Sequence, residues 1–482
     1  MRVLLVNLAA GDTDFIDKGR VWRSIYRRPY LGLQYLSAYL KKHGHAVDLI
    51  DCQVEELTPR ELAARARDGG YGLVGFFAIY VNREALLACA GEIRRAVGVP
   101  VVVGGPDCFN DEAYLRAGVD LVVRGEGELT LLELVERLER KAPLDDVLGL
   151  SRLVGGEVAR NPDRPFITDV DSLPFPDRSH YPITVWHDYM DFNMRKPFAT
   201  LITSRGCPYG CEFCDSPSLW QRRVRQRSPA NVLAEIDALV HEHGVRYLLF
   251  SDDIFGISFE WQKEFCEALA ARRYDLGYFC LIHPLVYGQH AEERMDLLAR
   301  SGCRTFHLGV QSASEEVLRT SGRFPGELKH HRRIVELARE RGILSFTTFI
   351  HGLPGDTREG FAESRAFVKD MSPDYALFLP LKVFAGSTLE KKLERGEREL
   401  PGFTWEELVR ECRRSELEFY RDPRRTLRLF LYVLRHNPRW LVTRGWYAVY
   451  MIVRTLWIGL LPAARPHDRD SATLPALSPG SA

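Results

Sequence analysis

Short apolar runs alternate with stretches of helical periodicity along the first 150 residues. The intervening stretches, such as 30–45 and 129–141, space their apolar residues as amphipathic helices do. Short apolar strands separated by helices indicate an open, parallel sheet covered by helices on both faces. We therefore predict an α/β, doubly wound, Rossmann-like domain over 1–150. Its strands are expected at 2–8, 46–51, 71–80, 100–105 and 120–128.

Turns that contain glycine lie at the ends of several of these predicted strands. In doubly wound sheets, ligands bind at the carboxyl ends of the strands, and glycine lets a ligand approach the backbone closely. Tight turns alone would also account for these glycines. The candidate ligand-binding residues are Gly32, Gly104, Gly105, Pro106, Gly125, Glu126 and Gly127.

A second alternating region follows a segment of different character. Residues 151–196 are rich in Pro and Asp with little periodicity, which is typical of a linker. Residues 197–390 then contain six strand–helix units, which predict a partial parallel barrel with its active site at the carboxyl ends of the strands. The barrel strands are expected at 198–204, 245–253, 276–282, 304–310, 344–352 and 375–383.

The remaining residues lack this alternation. Residues 391–462 are expected to be helical, and 463–482 form a polar tail that is expected to be disordered. The stretch 424–461 is apolar, basic and rich in Trp, but Arg454 interrupts its longest apolar run, so it is a poor spanning helix. It would either cap the barrel or lie on a membrane surface.

Charge and cysteine usage narrow the functional class. The 482-residue chain has 65 Lys+Arg and 65 Asp+Glu, and this balance gives no indication of a nucleic-acid partner. Seven of the ten cysteines are scattered singly, as buried small side chains are. The N-terminus turns acidic too early for a signal peptide, so we expect a reducing, cytoplasmic location.

The other three cysteines share one loop, "RGCPYGCEFC", which directly follows the first barrel strand. Thiolates bind structural zinc or iron–sulfur clusters. Zinc needs a fourth ligand, and the nearest histidine beyond the loop, His241, lies in a predicted helix. Three cysteines instead suit a [4Fe–4S] cluster with one iron left open. The candidate iron ligands are Cys207, Cys211 and Cys214.

This loop resembles the CxxxCxxC loop of radical S-adenosylmethionine (SAM) enzymes, and further motifs follow in order. They are "YLLFSDDIF" (247–255), "HLGVQSASEEVL" (307–318), "FIHGLPGDT" (349–357) and "VFAGSTLE" (383–390). The resemblance implies that the open iron chelates SAM. An electron from a flavodoxin- or ferredoxin-type reductant would then cleave SAM to a 5′-deoxyadenosyl radical that abstracts a hydrogen atom from the substrate.

The resemblance also implies contacts to SAM. Phe213 would flank the adenine, and Asp252 or Asp253 would hold the amino group unless they only cap the next helix. Gln311, which stands where Glu is common in the family, or Ser312 would bind the carboxylate or ribose. The backbone of Gly352, Leu353 and Pro354 would contact the adenine.

Residues 1–150 resemble the cobalamin (B12)-binding domain of B12-dependent radical SAM enzymes, through 27–51, 101–107 and 120–135. The DxHxxG signature of cobalamin mutases is absent, and "AAGDTDFIDKG" after the first strand contains no histidine. We therefore expect cobalamin without a histidine on its lower face. Its nucleotide tail would enter the crevice of the sheet near Gly104, Gly105 and residues 125–127.

The favoured function is a methyltransferase that acts on an unactivated carbon or phosphorus centre through methylcobalamin and the deoxyadenosyl radical. The alternative is a non-methylating oxidative cyclisation or ring contraction of a porphyrin- or hopanoid-like substrate. An RNA methylthiotransferase is disfavoured by the balanced charge and the dispersed Cys52, Cys89 and Cys108. A sensing module is disfavoured by the intact cysteine loop. The substrate would be a small or lipid-like molecule, with possible membrane contact through 424–461.

Overall fold

A computed structural model describes residues 1–8, 26–188, 191, 193–324, 326–436 and 438. Within them, two mainly parallel sheets are each flanked by helices, which confirms the predicted α/β fold class. The predicted tail at 463–482 and the part of the predicted membrane-contact stretch beyond 438 lie outside the described residues.

The first sheet has the order β3-β1-β4-β5-β6-β7-β8 among the strands of the described chain. The first five are parallel and the last two antiparallel. Strands are β1 Arg2–Asn7, β3 Ala46–Asp51, β4 Leu73–Phe77, β5 Val101–Gly104, β6 Leu121–Val123, β7 Leu150–Val154 and β8 Glu157–Arg160. Helices are α1 Leu31–Lys42, α2 Cys52–Glu55, α3 Pro59–Asp68, α4 Arg83–Val97, α5 Asp111–Arg116 and α6 Gly127–Arg140.

Both faces of this sheet are buried. Successive residues of a strand point to opposite faces, so Val3 packs with Leu33 of α1 and Leu134 of α6. Its neighbour Leu4 packs on the other face, in the cluster of α3 and α4. Because both faces are covered, the strands of this sheet are continuous apolar runs and do not alternate between apolar and polar residues.

The segment expected to be a linker begins instead with a hairpin. Strands β7 and β8 pair antiparallel and extend the first sheet through β6, so the linker does not start at residue 151. Gly155 and Gly156 both have positive φ, at 61° and 89°. Two glycines between short strands are a recognised hairpin signal, which the sequence interpretation overlooked because the surrounding composition is polar.

The second sheet is the expected partial barrel, with the parallel order β10-β13-β14-β15-β16-β17 among the described strands. Strands are β10 Phe198–Leu201, β13 Tyr247–Phe250, β14 Gly277–Ile282, β15 Cys303–Gln311, β16 Leu344–His351 and β17 Tyr375–Pro380. The flanking helices are α8 Pro229–His243, α9 Phe259–Ala271, α10 Pro284–Tyr287, α11 Ala291–Ser301, α12 Glu315–Thr320, α13 Leu328–Glu340 and α14 Arg358–Met371. Two further pairs are β2 Tyr26–Arg27 with β9 His187–Asp188, and β11 Ser204–Arg205 with β12 Arg225–Gln226.

Burial along β15 shows how the barrel is built. Phe306, Leu308 and Val310 are fully buried in the core shared with the helices. His307 and Gln311, on the alternate face, are only half-buried and line the interior of the barrel. The barrel therefore has an apolar outer layer and a mixed inner surface.

The C-terminal region contains α15 Thr388–Glu394, α16 Trp405–Tyr420 and α17 Pro423–His436. Helix α16 packs on the last barrel strand, where the Tyr420 hydroxyl donates to the Ala376 carbonyl at 3.0 Å. Val433 of α17 packs with Trp186, Phe198 and Tyr247 at the amino end of the barrel. No helix in the described part of the chain is long and apolar enough to cross a membrane.

The barrel core makes a direct stability prediction. Phe250 is fully buried against Phe255, Phe265 and Tyr278, with ring centroids 4.8–5.9 Å apart. Phe250→Ala should lower the free energy of unfolding of the barrel by about 3–5 kcal/mol, because it leaves a cavity. The matched control Phe175→Ala, at an exposed ring, should cost less than about 1 kcal/mol. Denaturant unfolding followed by circular dichroism measures both, and equal losses would contradict the prediction.

Candidate active site

The cysteine loop leaves the carboxyl end of β10, and a two-residue ladder closes its base. Strand β11 pairs antiparallel with β12, and Arg205 faces Arg225 across the ladder. Gly206 follows with φ of 99°, and a Cβ there would lie 2.0 Å from the Arg223 carbonyl oxygen. Only glycine therefore fits at this position, which turns the chain from the ladder into the loop.

The three cysteines of the loop are half-buried, and none forms a disulfide. Burial raises the pKa of Cys207 to about 12 and raises those of Cys211 and Cys214 as well. Buried thiols stay protonated unless a metal compensates for the thiolate charge. Among the described residues, no three His, Cys, Asp or Glu side chains converge on a single ion. A [4Fe–4S] cluster does not need three side chains around one ion, because each of three irons takes one thiolate. The three cysteines therefore fit such a cluster.

A buried glutamate fixes the middle of the loop. The Glu212 carboxylate accepts from Lys392 at 2.7 Å and from Arg398 at 3.1 Å. Its amide donates to the Ser321 carbonyl and its own carbonyl accepts from the Leu389 amide. The sequence interpretation missed Glu212 and its partners. A charged residue between two predicted cluster ligands was the available signal.

Aromatic and cationic side chains flank the loop on its outer side. Tyr209 stacks on His283 with ring centroids 3.9 Å apart. The guanidinium of Arg222 lies so close to Gly210 that a Cβ there would meet it at 1.6 Å. Burial lowers the pKa of His283 well below its usual value, so this imidazole is neutral.

The two neighbouring aspartates after β13 have different roles. Asp252 is buried, and its Oδ1 accepts from the Thr203 amide at 2.9 Å and from the Thr203 and Ser204 hydroxyls at 2.7 Å. These bonds fix the turn that leads into the cysteine loop, so Asp252 is already engaged within the protein. Neither aspartate acts as a side-chain cap of α9, whose N-cap is Ser258.

Asp253, by contrast, is accessible to solvent, and its carboxylate accepts a long hydrogen bond of 3.2 Å from the Ser216 hydroxyl and one from the Gly206 amide. Partial desolvation by the surrounding protein nevertheless raises the pKa of Asp253 to about 6. Of the two aspartates, Asp253 is the one that remains available to a cationic ligand.

The end of β15 carries the next two predicted residues. Gln311 has φ of 69°, and the β15–β16 register shifts between Gly309 and Gln311. Its Oε1 is buried without a hydrogen-bond partner among the described residues. Non-glycine residues in this conformation occur often at functional sites. Ser312 is buried, and its hydroxyl accepts from the Ser314 amide at 3.1 Å. This hydrogen bond lies within the turn that follows β15.

Phe213 and the "GLPG" turn, both predicted to contact the adenine of SAM, share one apolar cluster. Phe213 packs on the apolar cluster that contains Leu353. Gly352 has φ of 94° and would bring a Cβ within 2.8 Å of Leu408, so it is needed for packing. The Pro354 carbonyl accepts from the Thr320 hydroxyl at 2.7 Å. Gly352, Leu353 and Pro354 are all buried, so any contact to a ligand would come through backbone atoms.

The glycines predicted to lie in strand-end turns of the first sheet have different environments. Gly32 does not lie in such a turn, because it is the second residue of α1. A Cβ at Gly32 or Gly125 would meet nothing within 4 Å, and one at Gly104 would meet only Val123, at 3.9 Å. Gly105 and Gly127 are crowded instead, by the Ala78 carbonyl at 2.6 Å and by Leu36 at 3.0 Å. Pro106 begins a short 3-10 helix, Pro106–Asn110.

Glu126, predicted to contact cobalamin, has a different environment. Its two carboxylate oxygens accept from Arg205 and Arg225 of the barrel, each at 2.6 Å. Each oxygen is therefore engaged by an arginine of the barrel, and the side chain joins the two domains.

A cavity that the sequence did not indicate lies at the carboxyl ends of β1 and β3. It is lined by Asn7 and Asp51 from the strands and by His180 and Tyr181 from the linker. Burial raises the pKa of Asp51 to about 6.

The expectation that no histidine lies on the lower face of cobalamin concerns the segment after β1. Residues 9–25 of that segment lie outside the described part of the chain.

Family models match both halves of this arrangement. The radical SAM superfamily model matches residues 201–368, and the B12 binding domain model matches residues 26–135. The chain is 31% identical over 369 residues to the uncharacterized methyltransferase PH0819 of Pyrococcus horikoshii, covering 75% of this chain and 77% of that protein. It is 29% identical to the anaerobic magnesium-protoporphyrin IX monomethyl ester cyclase of Rubrivivax gelatinosus, covering 72% of this chain and 63% of that protein.

The fold also matches a solved structure. The radical SAM methyltransferase TsrM of Kitasatospora setae, with cobalamin and a [4Fe–4S] cluster bound, superposes with a TM-score of 0.67. The two chains are 21% identical, and the match covers 82% of this chain and 75% of TsrM. Both domain matches and the 31% identical relative show that the chain belongs to the cobalamin-binding radical SAM enzyme family, whose cofactors are a [4Fe–4S] cluster, SAM and cobalamin.

Proposed function

We propose that this protein is a cobalamin-dependent radical SAM methyltransferase that acts on an unactivated carbon or phosphorus centre. The observation that carries the proposal is the position of the three-cysteine loop. It leaves the carboxyl end of the first barrel strand, and its base is joined directly to the strand-end turns of the cobalamin-binding domain. The relative PH0819, described as a methyltransferase and similar over three quarters of both chains, supports methyl transfer.

The residues of the cysteine loop would hold the cluster, which with SAM supplies a 5′-deoxyadenosyl radical, while cobalamin supplies a methyl carrier. Cys207, Cys211 and Cys214 would each bind one iron. Asp253 would accept hydrogen bonds from the SAM amino group, and Gln311 would use its unpartnered Oε1 on the ribose hydroxyls. An external reductant of the flavodoxin or ferredoxin type would deliver single electrons to the half-exposed loop.

A second candidate function is oxidative cyclisation without methyl transfer. The similarity to the anaerobic magnesium-protoporphyrin cyclase favours it. The inner face of the barrel also fits an apolar ring system, because His307 stacks on Phe346 and burial keeps this histidine neutral, with its pKa lowered to about 4. Product mass separates the two functions, since methylation adds a methyl group and cyclisation removes hydrogen.

We further propose that the protein is cytoplasmic and that its helix α17 contacts the surface of an anionic lipid bilayer. Four large apolar side chains at helical spacing are about half exposed along one face: Leu427, Phe430, Leu431 and Leu434. Arg424 and Arg435 are exposed beside this face, and α17 contains no acidic residue. An apolar stripe edged by arginines matches the acyl boundary and the phosphate headgroups of such a surface.

The cluster ligands give the most direct test of the radical SAM chemistry. Cys211→Ala should lose the visible absorption of the reconstituted cluster and all 5′-deoxyadenosine formation, because one iron loses its thiolate. Cys89→Ala, at a buried cysteine of the other domain, serves as the control and should retain both. Equal 5′-deoxyadenosine yields from the two variants after anaerobic reconstitution would overturn the proposal.

The two aspartates should separate into ligand binding and structure. Asp253→Asn should weaken SAM binding by about tenfold or more, because a charge-assisted hydrogen bond to the amino group is lost. Its thermal stability should not change. Asp252→Asn should instead lower thermal stability, since it neutralises the buried acceptor of the Thr203 and Ser204 hydroxyls and places an NH2 group where Oδ2 accepts from the Thr203 amide at 3.1 Å. Equilibrium dialysis of SAM and scanning fluorimetry give the two readouts, and unaltered SAM affinity in Asp253→Asn would remove its assigned role.

Vesicle flotation tests the lipid contact. The intact protein should bind vesicles that contain phosphatidylglycerol and bind pure phosphatidylcholine vesicles less well. Replacing Leu427 and Leu431 by Glu should reduce the bound fraction by about tenfold, because two charges would enter the apolar stripe. Leu153→Glu, at an exposed apolar residue of the first sheet, should bind as the unmodified protein does. No binding by the unmodified protein would refute the contact.

A further inference from the structure

One buried carboxylate links the cobalamin-binding domain to the base of the cysteine loop. Glu126 lies in the turn between β6 and α6. Its Oε1 accepts from Arg205 at 2.6 Å, and its Oε2 accepts from Arg225 at 2.6 Å and from the Ile167 amide at 2.8 Å. These bonds join the first domain, the linker and the barrel at a single side chain.

A second ion pair completes the network and balances its charge. Arg205 also donates to Glu128 at 2.6 Å. All four side chains are at most 10% exposed. Two carboxylates and two guanidinium groups therefore share a desolvated site, in which the loss of one partner leaves a buried charge uncompensated.

The two arginines hold the loop at its base. Arg205 and Arg225 face each other in the β11–β12 ladder, and every residue between them belongs to the cysteine loop and its short helix, α7 Ser216–Trp220. The Arg225 guanidinium lies over the rings of Phe166 and Trp220, at 4.6 and 5.3 Å. A displacement of either arginine would therefore move the segment that carries all three cluster ligands.

The contacts on the opposite side of the barrel mouth are of a different kind. Tyr80 and Phe384 meet edge to face at 5.3 Å, and the ring of Phe109 lies directly against Gly386. Tyr80 and Phe109 remain about 40% exposed. Partly exposed ring contacts constrain orientation less than buried, charge-assisted hydrogen bonds do, so the Glu126 network is the stronger of these two restraints between the domains.

We propose that Glu126 is a positioning residue that fixes the cysteine loop relative to the cobalamin-binding domain, rather than a ligand of cobalamin. The inference rests on the proposed function in one respect: the position of the loop affects the reaction only if the cluster and cobalamin are both bound. Glu126 touches neither the cluster ligands nor the reacting atoms. It acts through Arg205 and Arg225.

Glu126→Gln tests the proposal, with Glu235→Gln as a matched control. Glu235 likewise bridges two buried arginines, Arg178 at 2.7 Å and Arg227 at 2.6 Å, but it lies on α8, and both of these ion pairs are with residues outside the cobalamin-binding domain. Both variants therefore remove one buried carboxylate from a two-arginine site. Only the first should alter the relation between the cofactors.

Two measurements on the fully reconstituted protein give the readout. Amide hydrogen exchange of residues 206–224 should become about tenfold or more faster in Glu126→Gln, because local opening no longer breaks a paired charge network. The reduced cluster speeds up the electron-spin relaxation of bound cob(II)alamin, and this effect depends steeply on the distance between the two cofactors. In Glu126→Gln the relaxation rates should spread over a range, because that distance is no longer fixed. Cobalamin and iron content should match those of the unmodified protein.

The outcomes separate this inference from the proposed function. Exchange and spin relaxation that are the same in Glu126→Gln and Glu235→Gln would overturn the positioning role, whatever the reaction catalysed. Loss of cobalamin affinity with unaltered exchange would make Glu126 a ligand and also contradict it. Absence of methyl transfer in the unmodified protein would affect only the proposed function. If Glu126→Gln does not fold, Arg225→Met carries the same test, since it removes one arm of the network.

Discussion

Charges buried away from water must be paired, and the site depends on this constraint at the contact between its two domains. Glu126 comes from the turn that follows β6 and Glu128 from the first turn of α6, and Arg205 and Arg225 come from the base of the cysteine loop. Each pair can form only when the domains are docked. The same contact that satisfies the buried charges therefore sets the orientation of the cluster-bearing loop toward the cobalamin-binding domain.

Paired acidic side chains also fix the rest of the cysteine loop. Glu212, between two of the cysteines, is held by Lys392 and Arg398, and Asp252 is held by Thr203 and Ser204. These two acidic side chains and Glu126 hold the loop through partners within the protein. Asp253 is different because it is accessible to solvent and accepts only from the Ser216 hydroxyl, at 3.2 Å, and from the Gly206 amide among the described residues. The structural carboxylate and the carboxylate proposed to bind SAM thus lie one residue apart at the end of the same strand.

Much of the fold could be predicted from the sequence because its signals are local. Apolar runs buried on both faces identified the parallel strands, and the spacing of Cys207, Cys211 and Cys214 identified the loop. The β7–β8 hairpin was missed because its two-glycine turn lies in a polar segment. The roles of Glu126 and of the two aspartates could not be read from the sequence, because they depend on partners far along the chain, 79 residues away for Arg205 and 49 for Thr203.

The central claim is that a SAM-binding cluster and a methyl-carrying cobalamin act in one site. Mass spectrometry of cobalamin recovered from the reconstituted, reduced protein after incubation with methyl-deuterated SAM tests it most directly, since it needs no knowledge of the substrate. A deuterated methyl group on the recovered cobalamin is the predicted result. Bound cobalamin that remains unlabelled, while the same sample forms 5′-deoxyadenosine, would contradict the claim and favour the cyclisation chemistry.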